Sequence, residues 1–206
     1  ICQDDYGDIW VGTELGLSKL DTRTRKFERI TNTKYNLKDI EKIFNDKNGD
    51  IWFKNSDGIY KYKQAFNEVE CISCGDNLEI NSFSNIYSTH SNEILISTFS
   101  NLYRYDFDSD TLRSMLNSNH STIEISFVTD IIEIDNTLWI GSKNGLIKLP
   151  YDPKLKPQIY KEKTSSLVND DIRDIEYSKK KNEIWISTKN GISILNLNSN
   201  SFKNIQ

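Results

Sequence analysis

The sequence is poor in the residues from which catalytic centres, nucleic-acid footprints and membrane spans are built. Its 206 residues include two histidines, three cysteines, three prolines and one methionine. The net charge is −4 and the pI about 5.3, and the densest basic run, Lys179-Lys180-Lys181, falls in a predicted turn. No basic patch is present to meet a phosphate backbone, which argues against nucleic acid as a partner. Mean hydropathy is −0.60, and no apolar run approaches the roughly 18 residues of a transmembrane helix. No signal peptide is evident. A membrane role is therefore expected only through segments outside this sequence.

The scarcity of chemical groups continues at the level of motifs. There is no Gly-x-Ser-x-Gly and no Gly-rich phosphate loop between a strand and a helix. Two histidines leave no Ser-His arrangement, and most acidic residues fall in turns or alternate along predicted strands. No catalytic residue is assigned. Cys71-Ile72-Ser73-Cys74 has the spacing of a metal or redox pair. A structural zinc needs four ligands, and Cys2, His90 and His120 carry no paired spacing, so no metal and no cofactor are expected. The pair sits at a predicted strand end rather than before a helix, and a local disulfide is its remaining use. An odd cysteine count argues against a disulfide framework.

What the sequence does contain is a repeat. Asp4-Asp5-Tyr6-Gly7-Asp8-Ile9-Trp10-Val11-Gly12-Thr13, followed by Leu15-Gly16-Leu17, recurs as Asp46 to Trp52 with Asp57-Gly58-Ile59. A degenerate copy runs from Asn92 to Thr98. Two further copies run from Leu138 to Leu146 and from Glu183 to Ile192. With Trp10, Trp52, Leu95, Trp139 and Trp185 as anchors, the spacings are 42, 43, 44 and 46 residues. A period of about 40–50 with several short strands per unit marks a β-propeller blade.

Each copy reads as four strands, A to D. Strand A is followed by an Asp-x-x-Gly turn, in which Asp accepts a backbone hydrogen bond and Gly supplies positive φ. One carboxylate per turn makes a poor calcium site. Strand B, of the Ile-Trp-Ile-Gly-Thr type, is nearly continuous in apolar character, as suits a strand covered on both faces. A two-residue hairpin of the Asn-Gly or Asp-Gly kind follows in copies two, four and five. Strands C and D and a polar link complete the unit. The blades are placed at 1–33, 34–78, 79–122, 123–166 and 167–206, within one partial propeller spanning 1–206. All three prolines fall in the C–D loop of the fourth copy, Pro150 to Pro157. Trp10, Trp52, Trp139 and Trp185 are expected in the core, each worth roughly 3 kcal/mol of burial.

Candidate binding residues come from the D–A links and B–C hairpins, which in a propeller emerge on one face. There Tyr35, Asn36, Asn81, Phe83, Phe127, Asn144, Asn169, Asp171 and Asn190 are the expected ligand contacts, with Lys38, Asp39 and the hairpin tips Glu14, Asn55 and Ser100 beside them. Aromatic faces can stack on a sugar ring while amides and carboxylates orient it.

The string Asp-x-x-Gly-Asp-Ile-Trp-Val-Gly-Thr-x-x-Gly-Leu, then Leu-Asp-x-x-Thr-x-x-Phe, resembles the two-component regulator propeller repeat. Residues 4–27 carry it almost whole, in Asp4, Gly7, Ile9, Trp10, Gly12, Thr13, Gly16, Leu17, Asp21, Thr24 and Phe27. Copy two has Lys54-Asn55 in place of Gly-Thr, and copy three has Leu95 for Trp. The resemblance implies an extracytoplasmic sensor region of a membrane-anchored bacterial signalling protein, typically a hybrid histidine kinase and sometimes a diguanylate cyclase. It also implies that an oligosaccharide is the signal. The family has no single binding motif inside the repeat, so no site residue is carried over.

Ile1 to Trp10 align without a gap to Ile43 to Trp52, which places Ile1 inside a strand. The chain therefore reads as an open arc of about five blades from a larger, seven-bladed ring. Exposed blade faces would promote association between chains. The expected function is recognition of an extracellular glycan, passed to a cytoplasmic output. A protein-interaction or dimerisation scaffold is the alternative, and a propeller lyase or glycosidase stands behind both. The chain itself is not expected to be an enzyme.

Overall fold

The computed structural model describes residues 1–74, 85–116, 125–152 and 154–205, and these are all-β, with no helix among them. They form five four-stranded antiparallel sheets, each with its strands in chain order, which is the meander of a propeller blade. The first sheet holds β1 (Cys2–Gln3), β2 (Ile9–Thr13), β3 (Gly16–Asp21) and β4 (Lys26–Arg29). The second holds β5 (Lys42–Asn45), β6 (Ile51–Asn55), β7 (Gly58–Lys63) and β8 (Glu68–Cys74). The third holds β9 (Asn85–Ser88), β10 (Ile94–Ser97), β11 (Leu102–Asp106) and β12 (Thr111–Ser114). The fourth holds β13 (Val128–Ile134), β14 (Thr137–Ser142), β15 (Gly145–Pro150) and β16 (Gln158–Tyr160). The fifth holds β17 (Ile172–Ser178), β18 (Glu183–Thr188), β19 (Gly191–Asn196) and β20 (Ser201–Ile205). The chain divides into two compact units, Ile1–Ser88 and Thr89–Gln206.

The first unit is built on the Trp of β2. Trp10 packs among Ile51, Phe53, Tyr60, Tyr62 and Val69 of the second sheet, with its ring centroid 5.2 Å from that of Tyr62. The core of the second unit repeats this. Ile134, Trp139, Leu146 and Tyr160 of the fourth sheet pack against Ile172, Ile175, Ile184, Ile186 and Leu195 of the fifth. Successive strand residues point to opposite faces, so in Ile-Trp-Ile the tryptophan meets one neighbouring sheet and the isoleucines the other. The glycine after this triplet permits the close fit. A Cβ on Gly12 would overlap the Ile40 side chain, and one on Gly141 would stand 2.9 Å from Cγ2 of Ile172.

The Asp-x-x-Gly turns form as the sequence predicts. Asp4 Oδ1 accepts from the Tyr6 and Asp8 amides at 3.0 Å, and Gly7 takes φ of 85°. The B–C hairpins close on a side chain at the end of strand B. Thr13, Ser142 and Thr188 each donate a hydroxyl hydrogen bond to the carbonyl three residues on, that of Gly16, Gly145 and Gly191. The turn residues proper are Glu14-Leu15, Ser56-Asp57, Lys143-Asn144 and Lys189-Asn190. The glycine opens strand C rather than sitting inside the turn.

Two expectations need correction. Trp185 is half-buried rather than core, because the sheet face it occupies has no neighbouring sheet over it among the described residues of its unit. Asn55 is 2% exposed rather than a free hairpin tip, since its side chain is consumed by the backbone around it.

Candidate functional site

In the first unit, the link between β4 and β5 carries Tyr35 and Asn36. Asn32 folds the link by accepting from the amides of Lys34 and Tyr35, both at 2.8 Å. Leu37 is buried in the core and anchors the segment. Tyr35 ends an aromatic column: its ring lies 5.5 Å from Tyr60, which stacks on Phe53 at 5.3 Å. The Lys34 ammonium stands 4.9 Å from the Tyr35 centroid. Asn36 donates to the Asp57 carboxylate at 2.9 Å. Asn55 Nδ2 donates to the carbonyls of Asn36 and Lys38, while its Oδ1 accepts from the Asp57 and Gly58 amides. Asn55 is therefore the clamp between hairpin and link, and Tyr35, Asn36 and Asp57 are the groups it presents. A cleft of about 240 Å³ is lined by Leu15, Arg29, Asn32, Tyr35, Asn36 and Lys38. Burial, with the Asp57 carboxylate and Tyr35 nearby, pushes the Tyr60 phenol above its ordinary value.

In the second unit, Phe127 meets the exposed Phe99 edge-on at 4.6 Å, and Lys143 Nζ lies 4.6 Å from the Phe127 centroid. Phe127 has φ of 49°, a left-handed conformation that is strained for a bulky residue. The link between β16 and β17 is pinned to two hairpins. The Asp170 carbonyl accepts from Gly145 N at 3.0 Å, and the Asp171 carbonyl accepts from Lys189 N at 2.9 Å. Asn169 accepts from the Asp171 amide in an Asx turn. Asn144 and Asn190 are the second turn residues of those two hairpins, with their amides bonded to Ser142 and Thr188. The fold thus gathers Asn144, Asn169, Asp171 and Asn190 around one link.

Two oxygens of this region are buried without a hydrogen-bond partner, Thr129 Oγ1 and Asp171 Oδ1. The other Asp171 oxygen pairs with Arg173 at 3.0 Å. Tyr35 and Asn36 belong to one unit and the other five described candidates to the second. Asn81 and Phe83 lie outside the described residues.

Sequence reasoning missed Lys143 and Phe99, and read Asn55 as a free hairpin tip rather than as the clamp it is. Asn55 stands in place of the Thr of Gly-Thr, and Phe99 stands at a hairpin position that is Glu14, Ser56, Lys143 and Lys189 in the other copies, and those departures were the available signal. Among the described residues no group of three or more His, Cys, Asp or Glu side chains gathers as a metal site. Cys71 is disulfide-bonded, and burial pushes the free Cys2 thiol up to about 11. The described groups are ring faces, amides, a carboxylate and two lysine ammoniums on a backbone held by its own turns.

No family model matches the chain, and no curated protein matches it by sequence. Solved structures do. One described as the extracellular domain of a hybrid two-component system, BT3049 of B. thetaiotaomicron, is 26% identical with a TM-score of 0.74, over 99% of this chain and 28% of that one. Another, described as the extracellular domain of a one-component system, BT4673 of the same organism, is 21% identical with a TM-score of 0.69, over 94% and 26%. A streptogramin B lyase is 18% identical with a TM-score of 0.66, over 98% and 66%. The last two show likeness of fold alone. This chain spans about a quarter of the length of the first two.

Proposed function

We propose that this chain is a ligand-sensing β-propeller segment of the extracytoplasmic region of a bacterial two-component signalling protein. On this reading it is built from two-component regulator propeller repeats. The observation that carries the reading is the 26% identity, over 99% of this chain, to a domain described as extracellular and as part of a hybrid two-component system. The five sheets with the in-register Trp repeat support it. The Cys71 disulfide suits an oxidising compartment. The output is a histidine kinase or a related enzyme encoded beyond this segment, and the segment itself binds rather than catalyses.

The ligand we propose is an oligosaccharide. The half-buried Tyr35 ring is fixed by the column behind it, so little side-chain entropy is lost when a sugar stacks on it. Asn36 and Asp57 offer the polar groups beside it, and in the second unit Asp171 Oδ1 is an acceptor without a donor. Titration calorimetry of this chain against a panel of soluble oligosaccharides tests the reading. A binding glycan is expected to lose roughly tenfold or more in affinity with Tyr35→Ala, at an unchanged melting profile. If no glycan binds, or if the Tyr35 variant binds as well as the parent, the reading falls.

A further inference from the structure

The second unit contains a groove of about 430 Å³ whose two walls are its own fourth and fifth sheets. Gln158 and Tyr160 of β16, Thr164 and Ser166 of the link after it, Asn200 of the turn before β20 and Phe202 of β20 line it. The equivalent place in the first unit is closed. Val69 pairs with Tyr62 across β8 and β7 as Phe202 pairs with Leu195 across β20 and β19, and Val69 is 5% exposed. Phe202 packs 5.6 Å from Tyr160, on the side of its sheet that faces the fourth, and is still only half-buried.

The walls are held apart at a fixed distance. Tyr160 is buried, stacks on Trp139 at 5.9 Å, and its hydroxyl donates to Asn200 Oδ1 at 3.0 Å. On the link side, Asn204 Nδ2 donates to the Ser166 carbonyl at 3.0 Å, and its Oδ1 accepts from the Ser193 hydroxyl at 2.8 Å. Ser193 in turn accepts from the Val168 amide at 2.9 Å, and the Ser165 hydroxyl closes the link on the Lys161 carbonyl at 2.7 Å. A ligand would meet a preformed surface and order few side chains on it.

The groove is neutral. No charged side chain lines it, so an ion bound there would lose water without gaining a counter-charge. It offers the Phe202 ring, the hydroxyls of Thr164 and Ser166 and the amides of Gln158 and Asn200. The Gln158, Thr164 and Ser166 side chains make no hydrogen bond to a described residue. Asn200 has its oxygen taken by Tyr160 and keeps its side-chain NH2 group as a donor. An aromatic ring beside uncharged donors and acceptors matches a pyranose, which has an apolar face and a rim of hydroxyls.

We propose that this groove is a second saccharide site, which takes a neutral sugar ring against Phe202. It rests on the saccharide class of the ligand reading above but shares none of its residues, so the two stand or fall separately.

Titration calorimetry tests it on the 206-residue chain carrying Tyr35→Ala, which removes the stacking ring of the first unit. The probes are mannohexaose, cellohexaose and maltohexaose, with a mannuronate hexamer as the charged counterpart. At least one neutral hexaose is expected to bind, and the mannuronate hexamer about tenfold or more weakly than that probe. Phe202→Leu keeps an apolar contact on Tyr160 but removes the ring, and should cost about tenfold or more in affinity. Asn200→Asp keeps an acceptor for Tyr160 but removes the NH2 donor, and should cost about threefold or more. Circular dichroism melts check folding, and the exposed Asn200 carries the test if Phe202→Leu does not fold. Failure of every neutral hexaose to bind the Tyr35→Ala chain overturns the inference and leaves the Tyr35 reading untouched. Unchanged affinity in the folded groove variants, or equal binding of the mannuronate hexamer, also overturns it. A hexaose that binds the parent and the Tyr35→Ala chain equally, and is lost with Phe202→Leu, upholds the groove and removes the Tyr35 site.

Discussion

The Trp10 indole N–H donates to Oδ2 of Asp4 at 2.8 Å, and Trp52 donates to Asp46 at 2.7 Å. The same six-residue spacing in the third copy joins Thr89 to Leu95. Thr89 holds the turn through one oxygen, which accepts from the Glu93 amide at 3.1 Å, as Asp46 Oδ1 accepts from the Asp50 amide. The two positions change together for a physical reason. A carboxylate at the turn has one oxygen for the backbone and one for the indole. With leucine at the Trp position the second oxygen would lose its indole donor, at a cost of about 1–3 kcal/mol. A hydroxyl has no second oxygen to strand.

This coupling is measurable at Asp46 and Trp52. Asp46→Thr alone strands the indole N–H and should destabilise by about 1–3 kcal/mol in urea unfolding. Trp52→Leu alone also leaves space and should cost about 3 kcal/mol or more. In the Trp52→Leu background, Asp46→Thr should cost less than in the parent, or stabilise, giving a coupling energy of about 1 kcal/mol or more. Additive losses would show that the turn and the tryptophan are independent.

The repeat, its period and its hairpins were legible because each rests on local chemistry: a turn aspartate, a positive-φ glycine, an apolar strand with Trp at its centre. The indole–carboxylate bond was not, because Asp4 and Asp46 already had a sufficient reason to be aspartate. The links read as polar, yet Leu37 and Leu167 are buried in the two cores, where a single apolar residue in each link fills the gap between sheets. Trp185 shows the opposite limit. Its strand has the core pattern, but burial depends on what covers the face, and no local signal encodes that. Of the candidate site, Tyr35, Asn36 and the residues around the second link were legible as loop positions. Asn55 was legible as a hairpin position but not as a clamp, because that role depends on a link some 17–19 residues earlier.

Glycine substitutions separate conformational strain from collision. Gly7 and Gly145 both have positive φ, of 85° and 112°. A Cβ on Gly7 meets nothing closer than 3.7 Å, so Gly7→Ala should cost only the backbone penalty, about 1 kcal/mol. A Cβ on Gly145 would run into the Tyr160 carbonyl, a backbone atom of β16 that cannot rotate away. The Gly145 amide also bonds to Asp170, which fixes its position from the other side. Gly145→Ala should therefore cost about 3 kcal/mol or more, by displacing β16 as well as straining φ. Equal losses for the two variants, measured by urea denaturation, would mean that β16 yields freely.

The Glu133 carboxylate gives the second unit an acid-sensitive contact. Burial pushes its pKa up, but hydrogen bonds from the Ser91 hydroxyl at 2.7 Å and the Ser91 amide at 3.0 Å outweigh that, and the net shift is downward from the ordinary 4.5. A carboxylate whose folded pKa lies below its unfolded value binds its proton more readily in the unfolded state. Its contribution is therefore complete above the ordinary value and is lost as pH falls through the folded one. Glu133→Gln removes the titrating group while keeping an acceptor for Ser91. The urea midpoint of the parent should exceed that of the variant near neutral pH, and the two should converge as the pH drops below about 4. A gap that stays constant across that range would mean Glu133 acts through packing rather than through its charge. A gap that widens in acid would reverse the sign of the shift.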